Sequence, residues 1–396
     1  MTTANESTTQ NTLSEGYLFE QVNAIAGMIG PRPAGSRSEL LARQYVRHAL
    51  EALGITDDAV SEIPLRTPDS WGWPLLAASA LAFIPTFLPR RLRLLTGWLP
   101  LAGAYLAWRT FTARPQPLLD VLPSQDTANL IVKIKPTGEV KQRVVLIGHT
   151  DSNKDRLGFS GKLKPYMRAG ATFGVSMMLL HGLGWLTGWR FLRNMTFTPM
   201  LASTAALAAD EFGAFVPGAN DNASAMACLL GIGGQLQQTP LENTEVWLAF
   251  TAAEEVGAVG LHALLDEYRE TLADAYFIDF EMVGAGDIAY VTDHTGMLAF
   301  NNYRPDNDSL ALAVETAREN PDLNVRGAPL TIVEEVAALR GRGFRGLCIA
   351  GVGDDAWLVN WHRSSDVVVN IAPKSLERAA HFAWAMLQKL DGKARA

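Results

Sequence analysis

The sequence predicts an α/β fold with a mixed, mostly parallel central sheet, helices on both faces and two added hydrophobic helical hairpins. Three features lead there. Apolar, β-branched runs of strand length recur along the chain, helical stretches separate them, and two long apolar blocks stand outside that alternation.

The opening MTTANESTTQNTLSEGY has no basic stretch followed by an apolar one, so no secretory signal is expected. Residues 1–16 read as a disordered lead rich in Thr, Ser, Asn and Glu. From about 17 to 54 the pattern is helical, broken by the turn GPRPAGSRSE, after which Ser36 caps a helix through LLARQYVRHALEALG. TANLIVKI and RVVLIGHTDS read as strands, and the intervening KPTGEVKQ has hairpin-turn chemistry. EVWLAFTAAEE, AYFIDFEMVG and RGLCIAGVG read as further strands, alternating with helices at about 222–237, 257–270, 307–320 and 374–390. No repeat of fixed period is evident. Residues 17–396 are expected to form one domain, interrupted by hydrophobic hairpins at about 71–110 and 165–210.

The hairpins rest on four apolar runs. Runs 75–88 and 94–108 are separated by Arg90, Arg91 and Arg93, and runs 169–189 and 195–209 by Arg190 and Arg193. Trp71, Trp73, Trp98, Trp108, Trp185 and Trp189 lie near their ends, and indole favours the lipid interface. Only the third run reaches the roughly 20 residues that a bilayer demands, so re-entrant or interfacial helices stand beside full spanning as readings. A buried lid on an enlarged core is the reading without lipid. Membrane association is expected, with the main domain on the cytoplasmic side, because paired segments return the chain to the side on which it started. The arginines at the hairpin tips favour that same side, and a shallow hairpin reconciles the two cues.

Bulk composition narrows the partners. The chain is 48% hydrophobic and 19% charged, greasier than an ordinary soluble enzyme, which suits contact with lipid. Its net charge is -7 and its basic residues are scattered, so no basic stripe is available for nucleic acid. Cys228 and Cys348 sit in the apolar stretches MACLLG and GLCIAG, as reduced core thiols do, which favours a reducing compartment.

Acids and imidazoles collect at predicted strand ends. His149 and Asp151 follow VVLIG, at the carboxyl end of a strand, where open α/β sheets gather ligands. Asp221 lies in the turn of PGANDNASAMACLLGIG and reads either as a helix cap or as a carboxylate shared by two metals. Glu254 and Glu255 follow EVWLAF; one could ligate metal while the other accepts a proton. Asp279 and Glu281 interleave an apolar strand, where a buried charge calls for a nearby cation. His362 and Asp366 lie in VNWHRSSD before the last helix. Each signal is weak alone. Together they match the needs of paired zinc ions about 3.5–4 Å apart: oxygen and imidazole ligands, one shared carboxylate and a base. His181 and His262 read as structural or surface groups, and His294 as structural with a place in the cleft as the alternative. No motif supports a role for the pair Asp354 and Asp355.

In this order, GPRPAGS, GHTDS, GANDNASA, TAAEEVGAVG, EMVG and WHRSSD resemble the successive motifs of family twenty-eight of the metallopeptidases, the bacterial co-catalytic zinc aminopeptidases. The resemblance runs from about Gly30 to the C-terminal helix, apart from the two hydrophobic blocks. It implies the zinc aminopeptidase, or phosphorylase/hydrolase-like, form of the α/β fold and a zinc-dependent exopeptidase, an aminopeptidase first, acting on peptides. Carried over by residue, it implies that His149 and Glu281 bind one zinc, Glu255 and His362 the other, and Asp221 bridges the two. Glu254 would be the general base, and Asp151 would orient His149. Two departures stand out. Glu281 occupies a position where the family usually has Asp. About 70 residues separate His149 from Asp221 where the family has a short stretch, and the second hydrophobic block fills the excess. Block and site are therefore expected to be neighbours, a hint of lipid-proximal or hydrophobic substrates. The rival readings are a mono-zinc glutaminyl cyclase-like acyltransferase and a non-catalytic membrane receptor or scaffold; five competent ligand positions weigh against the second.

Overall fold

The computed structural model describes residues 10–395, and in them nine strands join into one sheet. The strands are β1 (Val60–Thr67), β2 (Gln125–Ile134), β3 (Gln142–His149), β4 (Thr244–Thr251), β5 (Tyr276–Glu281), β6 (Asp287–Thr295), β7 (Asn302–Tyr303), β8 (Arg326–Thr331) and β9 (Leu347–Val352). Their order is β1-β2-β4-β3-β5-β9-β6-β7, with β8 also on β6. The four central strands β4-β3-β5-β9 run parallel, and β2 and β6 flank them antiparallel. Every residue of β4 and β9 is buried, because helices cover both faces.

One face of the sheet packs against α1 (Glu15–Val22), α2 (Arg37–Ala52), α8 (Ser224–Gln238), α10 (Asn307–Glu319) and α12 (Pro373–Arg395), around Leu50, Leu230 and Ala383. The other packs against α9 (Val259–Glu267) and α11 (Glu335–Gly341), around Trp247, Leu261 and Leu339. The expected cap on α2 forms: Ser36 Oγ accepts from the Glu39 N–H at 3.2 Å. Both cysteines are buried and free.

Two expectations fail. The strands around KPTGEVKQ do not form a hairpin, because β4 lies between β2 and β3. The turn instead pairs with the segment entering β4, Thr137 N donating to Leu241 O at 2.9 Å and Gly138 N to Glu242 O at 2.8 Å. Of the lead expected to be disordered, residues 1–9 lie outside the described residues, and residues 10–16 are ordered. Leu13 is buried in the core, the Thr12 hydroxyl donates to Gly231 O at 2.8 Å, and Ser14 caps α1.

The apolar blocks form α3 (Gly72–Phe83), α4 (Arg93–Thr96), α5 (Leu99–Thr110), α6 (Met167–Thr187) and α7 (Arg190–Asp210). Helix α3 packs on α5 and α7, and α6 on α5 and α7, around a separate small core that includes Leu75, Ala104, Met178 and Met200. A side chain at Gly103 would strike the Ala78 carbonyl, so a glycine lets α3 and α5 touch by their backbones. His181 Nδ1 lies 2.8 Å from Thr196 Oγ1 and joins α6 to α7, the structural role expected of it. Outward, Phe87, Leu94, Leu95, Trp98, Phe173 and Phe191 are exposed, which is unusual for a free surface. The segment Lys164–Thr187, with mean hydropathy 1.2, is long and apolar enough to cross a bilayer. Helices α3 and α5, of 12 residues each, reach only about 18 Å against a hydrocarbon core of about 30 Å.

Candidate metal centre

The carboxyl edge of the parallel strands supplies the site. His149 is the last residue of β3, Glu281 the last of β5, and Glu254 and Glu255 begin a tight turn just after β4. Asp221 comes from the turn before α8, and His362 from the loop before α12. Ala253, Ala258, Met282 and His362 all have φ between 49° and 56°, in the left-handed region that side chains disfavour. Such strain persists only where surrounding structure enforces it, and here it gathers beside the acids and imidazoles.

Asp221 stands between the two imidazoles. Its Oδ1 is 3.2 Å from His149 Nε2 and its Oδ2 is 3.2 Å from His362 Nε2. Glu281 Oε2 lies 3.8 Å from His149 Nε2, and Glu255 Oε2 lies 3.1 Å from His362 Nε2. All five residues suggested by the motifs thus converge in two half-sites that share Asp221. The other two candidates are adjacent. Asp151 accepts the backbone N–H groups of Glu254 and Glu255, each at 3.1 Å, and its Oδ1 is 3.5 Å from His149 Nδ1. One carboxylate therefore holds both the imidazole and the acidic turn. Asp279, the other acid of β5, is fully buried without a hydrogen-bond partner on either oxygen.

The donor set fits metal. His149 Nε2, Asp221 Oδ2 and Glu255 Oε1 are buried and lack hydrogen-bond partners, which would be costly unless a cation took their lone pairs. One donor atom each from His149, Asp221 and Glu255 lies within 4.8 Å of the others. Imidazole and carboxylate are the ligand types zinc takes. Burial raises the carboxyls of Glu254, Glu255 and Glu281. Burial opposes ionisation of Asp221 too, but the imidazoles of His149 and His362, each 3.2 Å away, hold its carboxyl well below the usual range.

Comparison with known proteins agrees with this geometry. The sequence profile of peptidase family M28 matches residues 203–387. That match covers the C-terminal part of the chain, with Asp221, Glu254, Glu255, Glu281 and His362 inside it. No curated protein matches this chain. Among solved structures, it resembles the zinc aminopeptidase BSAP from Bacillus subtilis with a TM-score of 0.58 at 12% identity, covering 96% of each chain. A Zn-dependent exopeptidase from Parabacteroides distasonis gives 0.56 at 13% identity, over 96% of this chain and 98% of that one. A glutaminyl cyclase from an Acidobacteriales bacterium gives 0.58 at 15% identity, over 99% of each. At such identities the likeness establishes the fold alone.

Residues to which the sequence assigned no role complete the site. Asn153 Nδ2 donates to Glu255 Oε2 at 2.5 Å and lies 3.2 Å from His362 Nε2. Asp366, noted in the sequence without a role, accepts the N–H groups of Asn220 at 2.6 Å and Asp221 at 3.1 Å, fixing the shared carboxylate. Asn222 Nδ2 lies 3.2 Å from Glu281 Oε2. The buried guanidinium of Arg32 donates to the carbonyls of Thr150, Pro217 and Gly218, tying the GPRP loop to the site; burial lowers it to about 10. His294 belongs to a different buried cluster, with Nε2 2.7 Å from Glu334 Oε1, its ring stacked on Tyr303 and Cys348 nearby. His262 Nε2 bonds Ala113 O at 3.0 Å, and Asp355 pairs with Lys164.

Proposed function

We propose that this protein is a zinc-dependent aminopeptidase of peptidase family M28 that removes the first residue of peptides. His149 and Glu281 would hold one ion, Glu255 and His362 a second, and Asp221 would be common to both. The observation that carries the reading is the position of Asp221, each of whose oxygens faces a different imidazole that has its own carboxylate. That duplication favours paired ions over the single zinc of a cyclase-like site. When bound, zinc supplies Lewis acidity, polarising the scissile carbonyl and making water more acidic. Glu254, partly exposed at the cavity wall, takes the proton from the attacking water and delivers it to the departing amine. Asp151 keeps His149 and the Glu254–Glu255 turn in place meanwhile.

The same reading makes residues 17–396 one domain, with the hairpins as insertions that seat it on lipid at the cytoplasmic side of a membrane. The exposed apolar side chains of α3 to α7 support that attachment. The activity is tested by digesting a peptide library with free or acetylated N-termini and reading products by mass spectrometry. Stepwise loss of first residues from free N-termini alone is expected. Equal cleavage of acetylated peptides, or cyclisation of N-terminal glutamine without peptide cleavage, would overturn the aminopeptidase reading.

A further inference from the structure

A cavity of about 380 Å³ opens beside Glu254, Glu255 and His362 and is walled by α3, α5, α6 and α7. A largely apolar recess of this size beside the acids and an imidazole suits an occupant that is itself apolar. Its volume is within the range of small-molecule sites. At roughly 30 Å³ per water, it equals the liquid volume of about a dozen waters.

Three features describe what it takes. First, its wall is apolar. Met167, Met178, Met200 and Met297 contribute, and methionine adapts its shape to flexible ligands. Second, the lining includes the candidate metal-site groups Glu254, Glu255 and His362, and also Asp210 and four hydroxyl side chains. Third, the space is kept open by absent side chains. Gly170 and Gly174 of α6 lie one helical turn apart on the wall, and a Cβ on either would meet nothing within 4 Å. Neither has a positive φ, and glycine in mid-helix is less favourable than leucine, so local backbone geometry does not account for them.

We infer that this cavity binds a long, straight alkyl chain carried by the first residue of the substrate, so that the protein acts on lipid-bearing peptides. The inference rests on the hydrolase reading for the reaction, though not for the binding. The chain lies between the inserted helices while the amide stays beside Glu254. Those helices also present exposed apolar faces, which suits a lipid-bearing substrate.

The test measures affinity of the full-length protein, in lipid nanodiscs, for straight-chain α-amino acids from alanine to 2-aminodecanoic acid by titration calorimetry. Affinity is expected to rise about four-fold per added methylene, the fold-change that corresponds to ~0.8 kcal/mol, through side chains of eight carbons. Gly174→Leu should weaken the eight-carbon ligand at least ten-fold relative to wild type. Gly170→Leu serves as the second filling variant if the first is poorly folded by circular dichroism. A plateau after three carbons, or full affinity for the eight-carbon ligand in both folded variants, would overturn the inference. Turnover of the coumarylamides of alanine and of 2-aminodecanoic acid is followed in parallel. Turnover with a flat affinity series defeats the alkyl-chain site alone, whereas a steep series without turnover supports that site and defeats the hydrolase reading.

Discussion

Arg156 and Glu211 form a buried ion pair that ties the inserted helices to the metal-site loops. Arg156 is wholly buried and also bonds Ser70 Oγ, before α3, at 2.6 Å. On the other side, its Nε donates to Asn153 Oδ1 at 3.0 Å and its backbone N–H to His362 O at 2.9 Å. Burial works against the Glu211 carboxylate, but Arg156 and then Lys154 hold its carboxyl below the ordinary range. Glu211→Gln leaves a buried guanidinium without its full counter-charge. Such losses cost about 3–5 kcal/mol, so thermal unfolding monitored by tryptophan fluorescence should shift markedly downward. An unchanged Tm would show the pair to be incidental.

Glu254→Gln keeps shape but removes the proton acceptor. Turnover should fall by about 10²–10⁴-fold, the usual contribution of a general base, while bound zinc stays at the wild-type level. Wild-type-like turnover would refute the base assignment.

Asp366→Asn replaces one acceptor with an amide facing the N–H groups of Asn220 and Asp221. Loss of a partner that orients a ligand commonly weakens metal binding by about 10–100-fold. Competition with a chelator measures this, and an unaltered zinc affinity would show that the Asp221 turn is held by other contacts.

His262 predicts a pH effect away from the metals. Burial, reinforced by Arg342, lowers its imidazole to about 4, and the neutral ring bonds Ala113 O through Nε2. The unfolded chain binds the proton first, at the ordinary value near 6.5. The contribution of His262 to stability is therefore complete above about 6.5 and is lost as pH falls from there toward 4, by roughly 3 kcal/mol. Denaturation midpoints of His262→Gln should depend less on pH across that window than those of wild type, and parallel profiles would contradict this.

Much of the site was legible because its donors sit in compact motifs at strand ends. His149, Glu255 and Glu281 each close a strand or the turn after it, so a local pattern located them. Asp221 was ambiguous by itself, since a helix cap and a shared carboxylate look alike in sequence. Asn153, Arg32 and Asp366 act through contacts between segments far apart in the chain, so although Arg32 and Asp366 lie within quoted motifs, nothing local told their roles. Strand order failed for the same reason. The KPTGEVKQ turn is locally suited to a hairpin, yet β4, about 100 residues later, inserts between its arms. The apolar blocks were readable as helices, but they are tied to the metal-site loops by Arg156 and Glu211, which lie in none of the quoted motifs.

Metal content tests the central claim most directly. Full-length protein, dialysed against zinc-containing and then metal-free buffer, is analysed by inductively coupled plasma mass spectrometry. Two zinc ions per chain are predicted for wild type, with fewer in His362→Ala. A wild-type chain that retains no zinc would contradict the account.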